Sequence, residues 1–448
     1  MKNLKKSSKV FIFEYESDKY IFISNITGKI ILGDKNLLRK IENPSCLNEE
    51  EKITDYLIKN YFVVDDSLDE NKILMEHIKK AKDNIPLTFV IYLTYNCNFA
   101  CFYCFQGSGT KNKSLSKNDL SYIVSFISQK VEELNDKRFT LVFTGGEPFL
   151  RFDLMKEIIF ELENHGYKNN FRTRVITNGS LINKENGEVL SHYNWFSTQI
   201  TLDGTREYHG KMRPYKNGDN SFDDVINGIN NALKFSKEVV LRINVSQDNE
   251  NGINSLLGYL KDNGYTKVNN LILGFHPILN YFESVKNKLC DRVYSEIVWS
   301  EKALKFYDLG HQLGFKNIDL PLSFPRLVYC GATSFKIFHI LPDGKIATCW
   351  AVGGDMNDFI IGSIYNQQNI EYDKNIQRLK NYNPLIQDKC KNCSVFSFCG
   401  GGCLAQAKSF NGSINNSVCS YLSYNPKEHV TRFVEQRIAN SRYNDIHF

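Results

Sequence analysis

Residues 90–107 read Val-Ile-Tyr-Leu-Thr-Tyr-Asn-Cys97-Asn-Phe-Ala-Cys101-Phe-Tyr-Cys104-Phe-Gln-Gly, an apolar run that breaks into three cysteines within eight residues. The run predicts a strand that delivers its thiols to the following loop. A disulfide uses cysteines in pairs and three leave one over, so thiolates this close suit one soft metal centre better. Three ligands on a cubane cluster leave one iron open, and an open iron can bind a substrate. The bland alternative is a zinc knuckle or a set of buried thiols.

Working outward, the 448-residue chain is 42% hydrophobic, enough to bury a large core divided among several domains. It has no run of eighteen apolar residues and no apolar stretch behind Met1, so export and membrane insertion are not indicated and a cytoplasmic location is expected. Twelve cysteines without an export signal argue for metal clusters over a disulfide framework. The net charge of +5 contains no basic block, which gives no support to nucleic-acid or membrane binding.

Residues 1–85 open with two alternating stretches, Val10–Tyr15 and Lys19–Ser24, that read as a hairpin followed by short helices. This is the order of a small winged-helix-like module. Its 15 Lys+Arg against 15 Asp+Glu make a poor footprint for phosphate. From residue 86, strands near 88–94, 139–144, 171–176, 197–202, 239–245 and 268–276 alternate with helical patterns. That alternation predicts an α/β fold, a partial (βα)6 TIM-like barrel over 86–310 with its site at the carboxyl ends of the strands. Residues 311–448 carry Cys330, Gly344-x4-Cys349, Cys390-x2-Cys393-x5-Cys399-x3-Cys403 and Cys419.

The spacing Cys97-x3-Cys101-x2-Cys104, with Tyr103 directly before the last cysteine, resembles the signature of the radical S-adenosylmethionine (SAM) superfamily. The resemblance implies a 4Fe–4S cluster whose open iron chelates SAM and cleaves it to a 5′-deoxyadenosyl radical. Thr144-Gly145-Gly146-Glu147-Pro148 resembles the family's GGEP motif, in which the backbone and Glu147 would bind the SAM amino group. Thr177-Asn178-Gly179 and Thr201-Leu202-Asp203-Gly204 match its later strand-end signatures. Arg213 resembles an arginine on the cofactor carboxylate, with a solvated arginine as the alternative.

The seven later cysteines resemble the SPASM extension and its two auxiliary clusters, for three 4Fe–4S clusters in all. A pair of zinc sites is the competing assignment. The family pattern would assign Cys390, Cys393, Cys399 and Cys419 to the distal cluster, and Cys330, Cys349 and Cys403 to the nearer one. Relatives with a fourth thiolate there carry it where this chain has Lys336. Cys46 and Cys290 remain; both read as structural thiols, and Cys290 is retained as a candidate hydrogen-atom donor.

Together these features resemble a peptide maturase. The resemblance implies a ribosomally made precursor peptide, whose leader residues 1–85 would capture on the hairpin edge near Lys19–Ser24, and a flavodoxin- or ferredoxin-type electron donor. A mere packing cap is the alternative for residues 1–85. A thioether crosslink is the expected product, with carbon–carbon crosslinking or epimerisation as alternatives. Formylglycine formation ranks lower, because relatives with that activity have an aspartate where Trp350 stands. A non-enzymatic iron–sulfur electron carrier would have no need of a GGEP motif.

Overall fold

The computed structural model describes residues 3–48, 51–106, 112–319, 326–328, 330–353, 356–366 and 369–440. Contacts group the chain into two compact units: Met1–Asn84 with Leu320–Cys330 and Tyr382–Phe448, and Ile85–Asp319 with Gly331–Asn381.

In the first unit, β1 (Leu4–Lys6) pairs antiparallel with β5 (Val63–Asp65), while β2 (Val10–Glu16), β3 (Lys19–Ser24) and β4 (Ile30–Asp34) form an antiparallel sheet in the order β2-β3-β4. Strand alternation sends Phe22 and Ile31 to one face, where they pack with Ile41, Leu57 and Phe62 from the neighbouring helical segment. The opposite face sends Phe13, Ile21 and Ile23 against Phe398, Leu422, Val430 and Phe433. Both faces are therefore buried. The expected peptide-binding edge at Lys19–Ser24 is corrected by this pairing, since β3 is the central strand with a partner on each side. Among the described residues, the edges of this sheet are β2 and β4.

Asn25, fully buried just after β3, grips the segment between Cys393 and Cys399. Its amide donates to the Ser394 carbonyl at 2.6 Å and its Oδ1 accepts from Ser397 N–H at 3.1 Å and the Ser397 hydroxyl at 2.5 Å.

The second unit is built on six parallel strands, β6 (Leu87–Thr94), β7 (Phe139–Gly145), β8 (Phe171–Thr177), β9 (Trp195–Thr201), β10 (Glu238–Val245) and β11 (Leu271–Pro277), with helical segments between them. β12 (Ile337–Ile340) adds to β6 in parallel, and β13 (Lys345–Ala347) and β14 (Ile360–Ser363) follow antiparallel, giving a mixed nine-stranded sheet. Phe89, Phe139, Phe171 and Phe338 make a continuous aromatic layer on one face, with centroids 5.4–5.9 Å apart, which Phe126 of the helix Leu120–Glu133 packs against edge-on. Alternation leaves Arg174, Ser197, Glu238, Arg242, Asn244, His276 and His339 on the opposite face.

Replacing Asn25 by Ala orphans the Ser394 carbonyl and the Ser397 N–H in a buried site, at roughly 1–3 kcal/mol per group. The expected outcome is a lower urea midpoint together with faster alkylation of the Cys393 and Cys399 thiols. Unchanged alkylation at an unchanged midpoint would contradict this anchoring role.

Candidate functional site

The loop after β6 is held from beneath by backbone. Gly146 N–H donates to the Thr94 carbonyl at 2.8 Å and Glu147 N–H to the Asn96 carbonyl at 2.9 Å, so the end of β7 grips the residues just before Cys97. A Cβ on Gly146 would collide with the Asn96 carbonyl, and Gly145, at φ +128°, would drive one into Thr94. The glycines are required by this close approach of two chains.

The Glu147 carboxylate is fully buried and faces the next strand. One oxygen accepts from Phe149 N–H at 3.0 Å and the other from Asn178 N–H at 2.8 Å, while the Thr177 hydroxyl lies 2.7 and 2.9 Å from the two. Burial raises its pKa against these hydrogen bonds. Asn178 continues the chain of contacts: its amide donates to Asn98 Oδ1 at 2.7 Å and lies 3.8 Å from the Cys97 sulfur, and its Oδ1 accepts from Ser180.

Tyr103 is the centre of a buried network. Its hydroxyl donates to Asp203 Oδ2 and accepts from Arg213 Nη1 at 2.6 Å and Asn244 Nδ2 at 3.0 Å. Asp203 accepts from Asn244 N–H at 2.8 Å and lies 3.9 Å from Arg213. At 7% exposure Arg213 is not the solvated arginine that the sequence left open. Its Nε and the Nε2 of His209 are buried without a hydrogen-bond partner. His209 Nδ1 accepts from Asp203 N–H, and burial followed by the Arg213 charge holds its ring neutral.

Cys97, Cys101 and Cys104 are free, half-buried thiols. Burial pushes Cys97 up to about 11, helped by Glu147, and Cys101 up to about 12, opposed by Arg213; Cys97 also senses Cys104, and Cys101 senses both Cys104 and Cys97. Among the described residues no three His, Cys, Asp or Glu side chains are gathered tightly enough for a single ion. Thiols that interact at wider spacing suit a polynuclear cluster, and Arg213 favours their thiolate form.

In the first unit, Cys390 and Cys393 each sense Cys399 and Cys419, so the four later thiols expected to act together are neighbours. Three consecutive left-handed glycines, Gly400 to Gly402, turn the chain between Cys399 and Cys403. Of the remaining thiols, Cys330 and Cys403 fall in the first unit and Cys349 in the second. Lys336 is engaged elsewhere, 3.6 Å from the Asp136 carboxylate. Cys46 is exposed, and so is Cys290, whose sulfur lies 3.4 Å from Asp291 Oδ2.

Residues 91–275 match the radical SAM superfamily domain. The chain carries a radical SAM superfamily domain. It is 26% identical over 371 residues to the cysteine-type anaerobic sulfatase-maturating enzyme of Clostridium novyi, covering 78% of this chain and 94% of that protein. Its fold is similar to native anSMEcpe with bound AdoMet, at TM-score 0.62 and 20% identity over 79% of this chain and 99% of the other. It is also similar to Streptococcus suis SuiB bound to precursor peptide SuiA, at TM-score 0.53 and 16% identity over 93% and 99%. The enzyme is thus related to peptide and cofactor maturases, and proteins with this domain bind SAM and a 4Fe–4S cluster. No helix among the described residues is long and apolar enough to cross a membrane.

Sequence reasoning missed the Tyr103 hub, Arg242 and His339. The last is fully buried beside Tyr92 and 4.8 Å from the Trp350 ring, with both ring nitrogens unpartnered.

Gly146→Ala should displace the cysteine loop and abolish both iron loading at Cys97–Cys104 and SAM cleavage. Gly258→Ala, where a Cβ meets nothing within 4 Å, should be neutral, and anaerobic iron analysis of the pair checks this. Burial pushes His339 down to about 3 from 6.5. The unfolded chain therefore binds a proton that the folded chain refuses, so stability is complete above about pH 6.5 and falls below it by up to ~1.4 kcal/mol per unit. His339→Phe should flatten that decline in anaerobic urea titrations at pH 7.0 and 5.5, and an unaltered pH slope would refute the assignment.

Proposed function

We propose that this radical SAM enzyme modifies a ribosomally synthesised precursor peptide, forming a thioether crosslink. The observation that carries the reading is the coexistence of an open three-thiol loop at the strand ends with a second group of four mutually interacting thiols. When bound, the first cluster supplies the electron that cleaves SAM, delivered by a flavodoxin- or ferredoxin-type donor. Cys97, Cys101 and Cys104 hold that cluster. Gly145, Gly146 and Glu147 position its loop, and Thr177, Asn178 and Arg213 complete the SAM site. Arg213 supplies a buried positive charge beside Cys101, suited to a cofactor carboxylate.

Cys390, Cys393, Cys399 and Cys419 hold one auxiliary cluster, and Cys330, Cys349 and Cys403 serve another, for three clusters in all. In this reading residues 86–310 are the catalytic partial barrel and 311–448 the auxiliary-cluster region. The precursor peptide bound to the streptococcal relative supports a peptide substrate. Residues 1–85 recognise the leader along β4, beside a groove of about 630 Å³ lined by Tyr15, Leu32, Leu37, Ile53 and Ile438. Cys290, exposed on its segment, is a less favoured hydrogen-atom donor than a substrate thiol. Formylglycine formation stays below carbon–carbon crosslinking and epimerisation despite the clostridial relative, because Trp350 follows Cys349.

Anaerobically reconstituted protein is expected to hold about twelve irons per chain and, with Cys97, Cys101 and Cys104 all replaced by Ala, about eight. The triple variant should release no 5′-deoxyadenosine while keeping visible absorbance from the remaining thiols. Continued SAM cleavage would overturn the cluster assignment, and a peptide product that has not lost a hydrogen pair would overturn the thioether.

A further inference from the structure

The face of the sheet opposite the aromatic layer holds a cation that the reading above does not use. By register Arg242 lies between Thr201 of β9 and Gly274 of β11, and Asn244 lies beside His276. Arg242 Nε donates to Asn244 Oδ1 at 2.7 Å, and Asn244 passes the connection to the Tyr103 hydroxyl. Among the described residues, the terminal Nη groups of Arg242 have no hydrogen-bond acceptor and form no ion pair. Asp203, already engaged by Tyr103 and Asn244, acts on Arg242 only through its field, as do Tyr103 and Tyr281. Burial nevertheless lowers the Arg242 pKa, and Arg213 adds to that effect.

His276 and Asp319 approach the strand beside this guanidinium. Gly274 contributes no side chain there, and a Cβ built on it would first meet His276 Nε2 at 3.2 Å and then Asp319 Cβ at 3.9 Å. Burial and the Arg242 charge hold His276 neutral, so its ring retains one N–H to donate. Burial also raises the Asp319 carboxyl, opposed by the Arg242 charge, so Asp319 acts on the guanidinium through its field as Asp203 does. A partly buried guanidinium that presents a free fork keeps some desolvation cost that an anionic ligand relieves. One fork with two carboxyl groups nearby suits a monoanion better than a phosphate dianion.

We propose that Arg242, with His276 as second donor, forms a subsite for a carboxylate of the peptide substrate, from either the chain terminus or an Asp or Glu side chain. The proposal rests on the peptide-modifying reading. It places the carboxylate at the carboxyl ends of β10 and β11, joined through Asn244 to Tyr103, the residue before Cys104. Anchoring one end of the substrate there restricts which carbons reach the reacting centre.

The test titrates reconstituted, SAM-saturated enzyme with two probe pairs that differ only in charge: N-acetylphenylalanine against its carboxamide, and N-acetylaspartate α-amide against N-acetylasparagine α-amide. The acid of one pair should bind at least tenfold tighter than its amide, and the pair that shows this preference identifies the source of the carboxylate. Arg242→Gln should bring the ratio close to one. Arg242→Lys, which keeps the charge and loses the fork, should reduce it at least threefold and carries the test if the Gln variant does not fold. Equal binding in both pairs, or a ratio that survives in Arg242→Lys, overturns the subsite. So does a loss of SAM affinity with the ratio intact, which would move Arg242 to the cofactor. Release of 5′-deoxyadenosine and peptide product mass are read separately, so failure of the peptide-modifying reading is distinguishable from failure of the subsite.

Discussion

Two backbone hydrogen bonds, from Gly146 N–H to Thr94 and from Glu147 N–H to Asn96, determine where the three thiols of the first loop lie. They continue the β6–β7 ladder past the register shift between Tyr92 and Thr94, where ordinary pairing would end. This requires two backbones closer than any side chain permits, so the end of β7 carries consecutive glycines. The next residue then turns its carboxylate to the end of β8 through Thr177 and Asn178. One short stretch thereby ties three strand ends together, and its glycines and glutamate have packing roles before any ligand is considered.

A second constraint is electrostatic. Asp203 and Arg213 are both buried, and removing one partner of such a pair costs about 3–5 kcal/mol because the other charge is left uncompensated. The Tyr103 hydroxyl mediates between them, which locks the aromatic residue of the cysteine loop to β9 and β10. The network leaves Arg213 Nε and His209 Nε2 unpartnered. Buried donors without acceptors are uncommon in folded proteins, and these two lie on the network that holds Tyr103 of the cysteine loop.

Much of this architecture was legible before the structure. All six parallel strands lie within three residues of their expected starts, because long β-branched and aromatic runs bounded by glycine give a strong local signal. The addition of β12–β14 to the same sheet was not legible, since strands of three or four residues carry little pattern and their pairing is non-local. Lys19–Ser24 was read as an edge because its second neighbour, Ile30–Asp34, is interrupted by Gly33. The site followed the same rule. Its thiols and glycines stand in compact motifs, whereas Tyr103, Asp203, Arg213 and Asn244 are scattered along the chain and meet only through the fold.

The amino-terminal sheet bears on how recognition and chemistry are connected. Phe13, Ile21 and Ile23 share a core with Phe398 and with Val430 and Phe433 of the helix Pro426–Asn440, and Asn25 binds the Cys393–Cys399 segment directly. Residues 1–85 are therefore part of the scaffold of four thiols as well as a candidate docking surface. Deleting them would remove one wall of that core, so a truncated chain that failed to modify peptide would not distinguish lost recognition from a lost cluster. In the proposed reading a leader strand added at β4 extends the same sheet, and ordering of the edge and of the cysteine segment favour one another because both depend on one hydrophobic core.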